Sequence, residues 1–341
     1  MKVLFLTIGD RSIASTRVRV YGYLPYLYKE NIKAFILHYT PLWHCRKIVS
    51  LKRVDFFEKI LSKIYSSFVL FFFLIMTPFF DVVFIQKVVL SNFTILILKA
   101  LNKRIIFDFD DALFIHKDMV HILKNSRVVV VSNNNLKEFV LRYTNKILEL
   151  PTPVNVDREN FQRNGKGVTL GWLGSPVTFK YLYAVMPVLE SLKARFDNLS
   201  IEFMGADKNL KLKPLFEARV SEWSSEKERE WLSRIDIGIA PLGDDEESMG
   251  KSGYKIFQYM SMAIPYVASP VGINKDVTED GINGFLAKTP REWLDKLSLL
   301  IRDASLRKNM GRSGMEKAKA MYSYEVTASA LIRALKEVAA K

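Results

Sequence analysis

Two lysines, Lys251 and Lys255, stand four residues apart in MGKSGYKIFQYMSMAIPYVAS (Met249 to Ser269), a stretch that reads as a helix start. Ser252 is placed to cap it, Ile256, Phe257, Met260 and Ala263 recur at helical spacing, and Pro265 ends it before an apolar strand. Cations at a helix start oppose the macrodipole, at roughly 0.3–1 kcal/mol each when exposed. An anion bound there would offset that cost. Helical spacing predicts one face for Lys251, Lys255 and Gln258. Gly253 permits close approach, and the unpaired N–H groups of the first turn, from Ser252 to Tyr254, point at the same place. A diphosphate fits this pattern, with Gln258 one turn deeper for a pair of sugar or ribose hydroxyls.

Three further constellations could carry chemistry. In GWLGSP (Gly171 to Pro176), a turn after a strand, Gly174 lets backbone approach a phosphate, Ser175 can donate to it, and Lys180 lies one turn on. FDFDDALF (Phe107 to Phe114) ends a strand with Asp108, Asp110 and Asp111. Such carboxylates can bind a metal, hold sugar hydroxyls or act as a base, and Asp111 can instead cap the next helix. In GDRSIASTRVRVYGYL, Ser15 or Thr16 is placed to cap a helix whose start carries Arg17 and Arg19, and an anionic acceptor would suit Arg17. The acidic run DDEES (Asp244 to Ser248) reads as a solvated loop, with Glu246 or Glu247 as the alternative sugar contact. His38, His44, His116 and His121 show no metal-ligand spacing.

These residues need a scaffold, and short apolar strands alternating with amphipathic helices supply one: an α/β chain with parallel sheets. Strands are predicted at KVLFLTIG, KAFILHY, DVVFIQ, RIIFDFD and RVVVVS, with TRVRVYGYLPYLYKEN as a helix between the first two. The stretch from Pro151 to Gly167 breaks the periodicity with Pro, Asn and Gly and reads as a linker. A second series follows at VTLGWLG, LSIEFMG, DIGIAPL and IPYVASPVG, and the chain ends in a nearly all-helical tail. Two Rossmann-like domains facing a cleft are expected, over 1–155 and 165–322, with the last helix, about 323–341, returning to the first. In open parallel sheets, ligands bind beyond the carboxyl ends of strands, where these motifs fall.

The 341 residues are enough for two cores, and the single cysteine, Cys45, excludes an internal disulfide and suits a reducing cytoplasm. Net charge is +14: residues 1–150 hold 22 Lys and Arg against 11 Asp and Glu, residues 151–341 hold 28 against 25. A basic first half points to an anionic partner, a membrane surface or a phosphorylated substrate. No nucleic-acid partner is expected, because no zinc spacing, RNP-type motif or groove-reading basic helix is present. The apolar run SSFVLFFFLIMTPFF (Ser66 to Phe80) is short of the ~20 residues of a span. It reads first as a buried helix leading into a strand. An in-plane membrane contact is the alternative, helped by Lys52, Arg53, Lys59 and Lys63.

Taken together, GWLGSP, IDIGIAPL and the segment from Gly250 to Phe285 resemble the C-terminal half of retaining glycosyltransferases of family 4, the group 1 family. STRVRVYGYLPYL and FDFDDALF resemble the N-terminal half of one subgroup. The resemblance implies a GT-B fold and transfer of a sugar, with retention and no obligatory metal or cofactor, from a UDP-, GDP- or ADP-sugar. The acceptor would be a glycan, a lipid-linked sugar or a small molecule, and the site cytoplasmic, at or near the inner membrane face. Lys255, Asp108, Asp110 and Asp111 take the catalytic roles in this reading. Gly174, Ser175, Lys180, Lys251, Ser252, Gly253, Tyr254 and Gln258 hold the donor, and Ser15, Thr16 and Arg17 the acceptor. Where many members carry two glutamates in an E-x7-E pattern, this chain has Gly250 and Gln258, and Asp110 or Asp111 falls where many have histidine. A GT-B epimerase and a non-catalytic membrane or scaffold protein are the alternatives.

Overall fold

The computed structural model describes residues 1–50, 52–156, 167–206 and 217–340. Most of the expected linker, residues 157–166, lies outside the described residues. Two compact units result: residues 1–153 with 250–252 and 324–341, and residues 154–249 with 253–323.

The first unit is built on six parallel strands: β1 (Lys2–Thr7), β2 (Lys33–His38), β3 (Val82–Gln86), β4 (Ile105–Phe109), β5 (Val128–Val131) and β6 (Ile147–Glu149). Their order is β2-β1-β3-β4-β5-β6. β3 and β4 are buried at every position, as continuous apolar strands covered on both faces must be. Chain order reverses between β1 and β3, so the crevice beyond their carboxyl ends is the natural ligand position of this sheet.

The second unit repeats the design with β7 (Val168–Leu173), β8 (Leu199–Met204), β9 (Arg219–Ser221), β10 (Ile237–Ala240), β11 (Tyr266–Ala268) and β12 (Phe285–Leu286), ordered β12-β11-β10-β7-β8-β9 and all parallel. Its switch point lies between β7 and β10. The short strands β6, β9 and β12 fall outside the predicted set. At two or three residues each they carry no readable alternation.

Three local expectations are corrected. The segment predicted as one helix after β1 is broken into Ala14–Arg19, a 3-10 turn at Tyr21–Tyr23, and Leu24–Lys29. Pro25 starts the last piece without an N–H to continue the ladder. Gly22 packs so closely on Tyr324 that a Cβ would stand 2.1 Å from its hydroxyl. Ser15 and Thr16 lie inside the first piece rather than capping it; Ile13 is at the cap. The apolar run is not a buried helix. It is the second half of a 21-residue helix, Phe56–Met76, opened by an Asp55–Glu58 capping box and followed by a 3-10 turn, with most of its apolar side chains exposed.

The tail helix Tyr324–Ala339 belongs to the first unit. Tyr324 donates to the Val18 carbonyl at 3.0 Å, Tyr26 donates to Glu325 at 3.0 Å, and Lys336 pairs with Glu30 at 2.7 Å.

Candidate active site

In the second unit the helix carrying Lys255 spans Tyr254–Ser261. Gly253, not Ser252, is its cap, with φ 70°, a left-handed conformation that glycine adopts without strain. A Cβ there would also stand 2.7 Å from Ile273. The helix therefore begins after Lys251, and the expected common face of Lys251, Lys255 and Gln258 does not form. Tyr259 holds the helix to the sheet: its hydroxyl donates to the Gly171 carbonyl at 3.0 Å and accepts from the Leu173 N–H at 3.3 Å.

Lys255, in the first turn, has no ion-pair partner among the described residues. Its ammonium lies 4.3 Å from the ring centroid of Trp172 on β7. Burial lowers its pKa to about 7, because nothing anionic offsets the lost hydration. Trp172 is itself buried, and Gly174 follows it closely enough that a Cβ would meet the indole at 2.4 Å. Small size is therefore required at Gly174. Ser175 then opens the 3-10 helix Pro176–Ala184, its N–H donating to the Thr178 hydroxyl at 3.2 Å. Lys180 pairs with Glu247 at 3.2 Å on an exposed surface.

Gln258 is buried and donates to Glu228 Oε1 at 2.7 Å. Glu228 comes from the helix Ser225–Arg234, and its other oxygen accepts from Trp223. A carboxylate thus stands one hydrogen bond from the position where the related pattern has its second glutamate. No motif marked Glu228, because thirty residues separate it from Gln258.

In the first unit, Asp108 at the end of β4 is buried beneath Arg19, whose Nε reaches both carboxylate oxygens at 3.0 and 3.1 Å. Arg19 also donates to the Leu150 carbonyl at 3.0 Å. Burial opposes the guanidinium charge, yet Asp108 raises the Arg19 pKa above its ordinary value, while burial pushes the Asp108 carboxyl up against the pull of Arg19. This corrects the expectation of Asp108 as a sugar-facing group: its oxygens are committed to fastening the Ala14–Arg19 helix to the sheet. Thr16 is likewise buried, donating to Gln86 Oε1 at 3.1 Å, so it presents no hydroxyl to an acceptor. Ser15 and Arg17 are half-buried on the same helix, and Arg17 donates to the Arg11 carbonyl at 3.3 Å.

Asp110 and Asp111 share Lys87, at 2.8 and 2.5 Å. Lys87 sits just past β3 at the switch point, with φ 59°, unusual for a residue with a Cβ. Its N–H donates to the Asp108 carbonyl at 2.8 Å, which holds it there. Burial would raise Asp111, but Lys87 and then Lys251 outweigh it and hold the carboxyl below its usual range. Asp111 does not cap a helix through its side chain. Sequence reasoning missed Lys87, because a lone lysine after a strand resembles any surface lysine.

The buried Asn133, which caps the helix Asn134–Leu141, donates from Nδ2 to the Lys251 carbonyl at 3.0 Å. Ala112 fills the space beside Gly250, where a Cβ would stand 2.4 Å from the Ala112 methyl. A glutamate cannot stand at 250 in this packing. Among the described residues, no group of three or more His, Cys, Asp or Glu is arranged to hold a metal ion.

Residues 168–303 match the family model described as glycosyl transferases group 1. The sequence has no match among curated proteins. Among solved structures, a glycosyltransferase from Rickettsia africae is similar with TM-score 0.72 and 14% identity, over 99% of this chain and 98% of that one. HepE from Anabaena, in complex with UDP and glucose, gives TM-score 0.69 and 12% identity over 98% and 99%. Sucrose-phosphate synthase from Thermosynechococcus elongatus gives 0.66 and 11% over 100% and 99%. At such identities the likeness is one of fold: this chain has the two-sheet GT-B fold of these enzymes.

Proposed function

Taking the group 1 glycosyltransferase match of residues 168–303 as the premise, we propose that the protein transfers a sugar, with retention, from a nucleotide-diphosphate donor to an acceptor hydroxyl. The observation that carries this is Lys255, a lysine without an anionic partner among the described residues, stripped of water against Trp172 at a helix N-terminus. A protein keeps such a destabilised cation where a ligand supplies the missing charge. The donor diphosphate is that ligand. As the bond between the anomeric carbon and the phosphate oxygen breaks, its electron pair stays on the diphosphate. Lys255, the Ser175 hydroxyl and the amides at Tyr254 meet the growing charge. Gly174 lets the chain turn closely past Trp172 into Ser175, and Gln258 with Glu228 offers an amide and a carboxylate to the ribose hydroxyls.

No metal is assigned to the reaction, since Asp108, Asp110 and Asp111 are occupied by Arg19 and Lys87. Asp110 and Asp111 stand for the sugar or the acceptor hydroxyl, and Arg17 for an anionic acceptor group. UDP-sugars are the first donors to test, because HepE, similar in fold, holds UDP and glucose.

Lys255→Ala is expected to lower turnover by about a hundred- to a thousandfold with the fold intact, as loss of one preorganised donor does. A pH arm tests the same residue. The empty protein loses the Lys255 proton as pH rises through about 7, whereas bound diphosphate holds it on. UDP binding, followed by calorimetry from pH 7.5 to 9.5, should therefore take up a proton and weaken by up to about tenfold per pH unit. Near-normal turnover in Lys255→Ala, or UDP affinity equally flat with pH in wild type and variant, overturns the assignment.

A further inference from the structure

The Phe56–Met76 helix with its 3-10 turn, Phe56–Phe79, is long and apolar enough to cross a membrane by length and composition, reaching a mean hydropathy of 1.9. Its packing decides otherwise. Ser62, Ser66, Val69 and Phe73, at i, i+4, i+7 and i+11, form one stripe against the first unit. Ser62 meets His44 Nδ1 at 2.7 Å, Ser66 donates to the Tyr39 carbonyl at 2.8 Å, and Val69 and Phe73 enter the core beneath β1 and β3. A helix fastened along its length to a soluble sheet cannot also be surrounded by lipid. The opposite face, however, is covered by nothing among the described residues. Phe56, Phe57, Ile64, Phe68, Phe71 and Phe79 are between 61% and 79% exposed. The neighbouring helix Asn92–Leu101 extends the patch with Phe93 (74%) and Leu96 (59%). Contiguous aromatic surface of this kind marks an interface.

Charge identifies the occupant. Lys52, Arg53, Lys59 and Lys63 flank the N-terminal end of the patch, all exposed, and none has an ion-pair partner among the described residues. Of the nearby acids, Glu58 is already taken by Lys47. Residues 64–80 and the helix Asn92–Leu101 carry no carboxylate, so a second copy of this face would bring no countercharge to the basic fringe. An anionic surface would be attracted instead.

We propose that this aromatic face lies in the plane of an anionic bilayer, its phenylalanines at the boundary of headgroups and acyl chains and its lysines among the headgroups. The surface uses none of the residues assigned to sugar transfer, so it stands or falls separately from that reading.

The test is flotation of the full chain with vesicles of phosphatidylcholine alone or with 30% phosphatidylglycerol. Wild type should float with the anionic vesicles and much less with the neutral ones. Lys59→Gln and Lys63→Gln should each weaken anionic binding about fivefold. Phe68→Asp/Phe71→Asp should weaken it at least about tenfold, while the melting temperature and UDP binding stay unchanged, because both side chains are exposed. A tryptophan placed by Phe68→Trp should be quenched more by lipids brominated near the headgroup than by those brominated at the acyl-chain end. Three results overturn the proposal: wild type staying unbound to both vesicles and sedimenting as a dimer that Phe68→Asp/Phe71→Asp abolishes; vesicle binding untouched by that variant; or deeper quenching at the bilayer centre, which would mean a span.

Discussion

Lys255 and Arg19 are both buried cations, and their partners separate their roles. Arg19 has a carboxylate with both oxygens engaged, so its charge is satisfied within the fold and does structural work. Lys255 has an aromatic face and no acid among the described residues, which is why the proposed diphosphate is assigned to it. Arg19→Met is therefore expected to cost about 3–5 kcal/mol of stability, since it strands a buried Asp108. Arg19→Met/Asp108→Leu should recover much of that loss, a comparison that chemical denaturation of the three variants reads directly. Equal destabilisation of single and double variants would mean that the guanidinium acts by packing alone. Both charged patterns stood out in the sequence, and only the partners told them apart. Burial and distance across 89 residues of chain put Arg19 on Asp108, and no local spacing encodes that.

At the scale of elements, helix ends decide what each motif can present. The glycine cap at 253 starts the helix after Lys251, and the turn at Gly22 and Pro25 splits what periodicity reads as one helix. The tail helix is fastened to that turn through Tyr324, whose hydroxyl is buried on the Val18 carbonyl. Tyr324→Phe removes one buried hydrogen bond and leaves an acceptor unpaired, for an expected loss of about 1–3 kcal/mol by urea denaturation. A loss near zero would show that ring packing against Tyr23 and Tyr26 carries the docking by itself. Nine of the twelve described strands, the edge strand β2 among them, were legible in the sequence. The short edge strands β6, β9 and β12 and the full extent of the Phe56–Met76 helix were not, because a strand of two or three residues lacks a period and the helix begins in a charged stretch, DFFEK, before its apolar run.

For the whole molecule, two units with separate cores imply two partly independent unfolding events. Donor groups assigned to the second unit should act on one of them. UDP at a hundred times its dissociation constant is expected to stabilise the transition of that unit by about 2.7 kcal/mol in scanning calorimetry and leave the other in place. Equal shifts of both transitions would move part of the nucleotide site elsewhere. The sequence by itself determined the class of fold, the alternation into two parallel sheets and the loops where chemistry had to lie. Hydrophobic period, glycine and proline are local signals, and strand-loop-helix order follows from them. It also singled out the lysine turn and the aspartate run. Tertiary structure alone decided which charges were already answered. It set Arg19 on Asp108, Lys87 between Asp110 and Asp111, Glu228 beside Gln258 and Ala112 against Gly250, and it put Lys255 over Trp172 with no acid beside it among the described residues and left a row of phenylalanines facing outward. Those outcomes rest on contacts between distant segments, whose energy depends on burial and geometry, and a linear pattern carries neither.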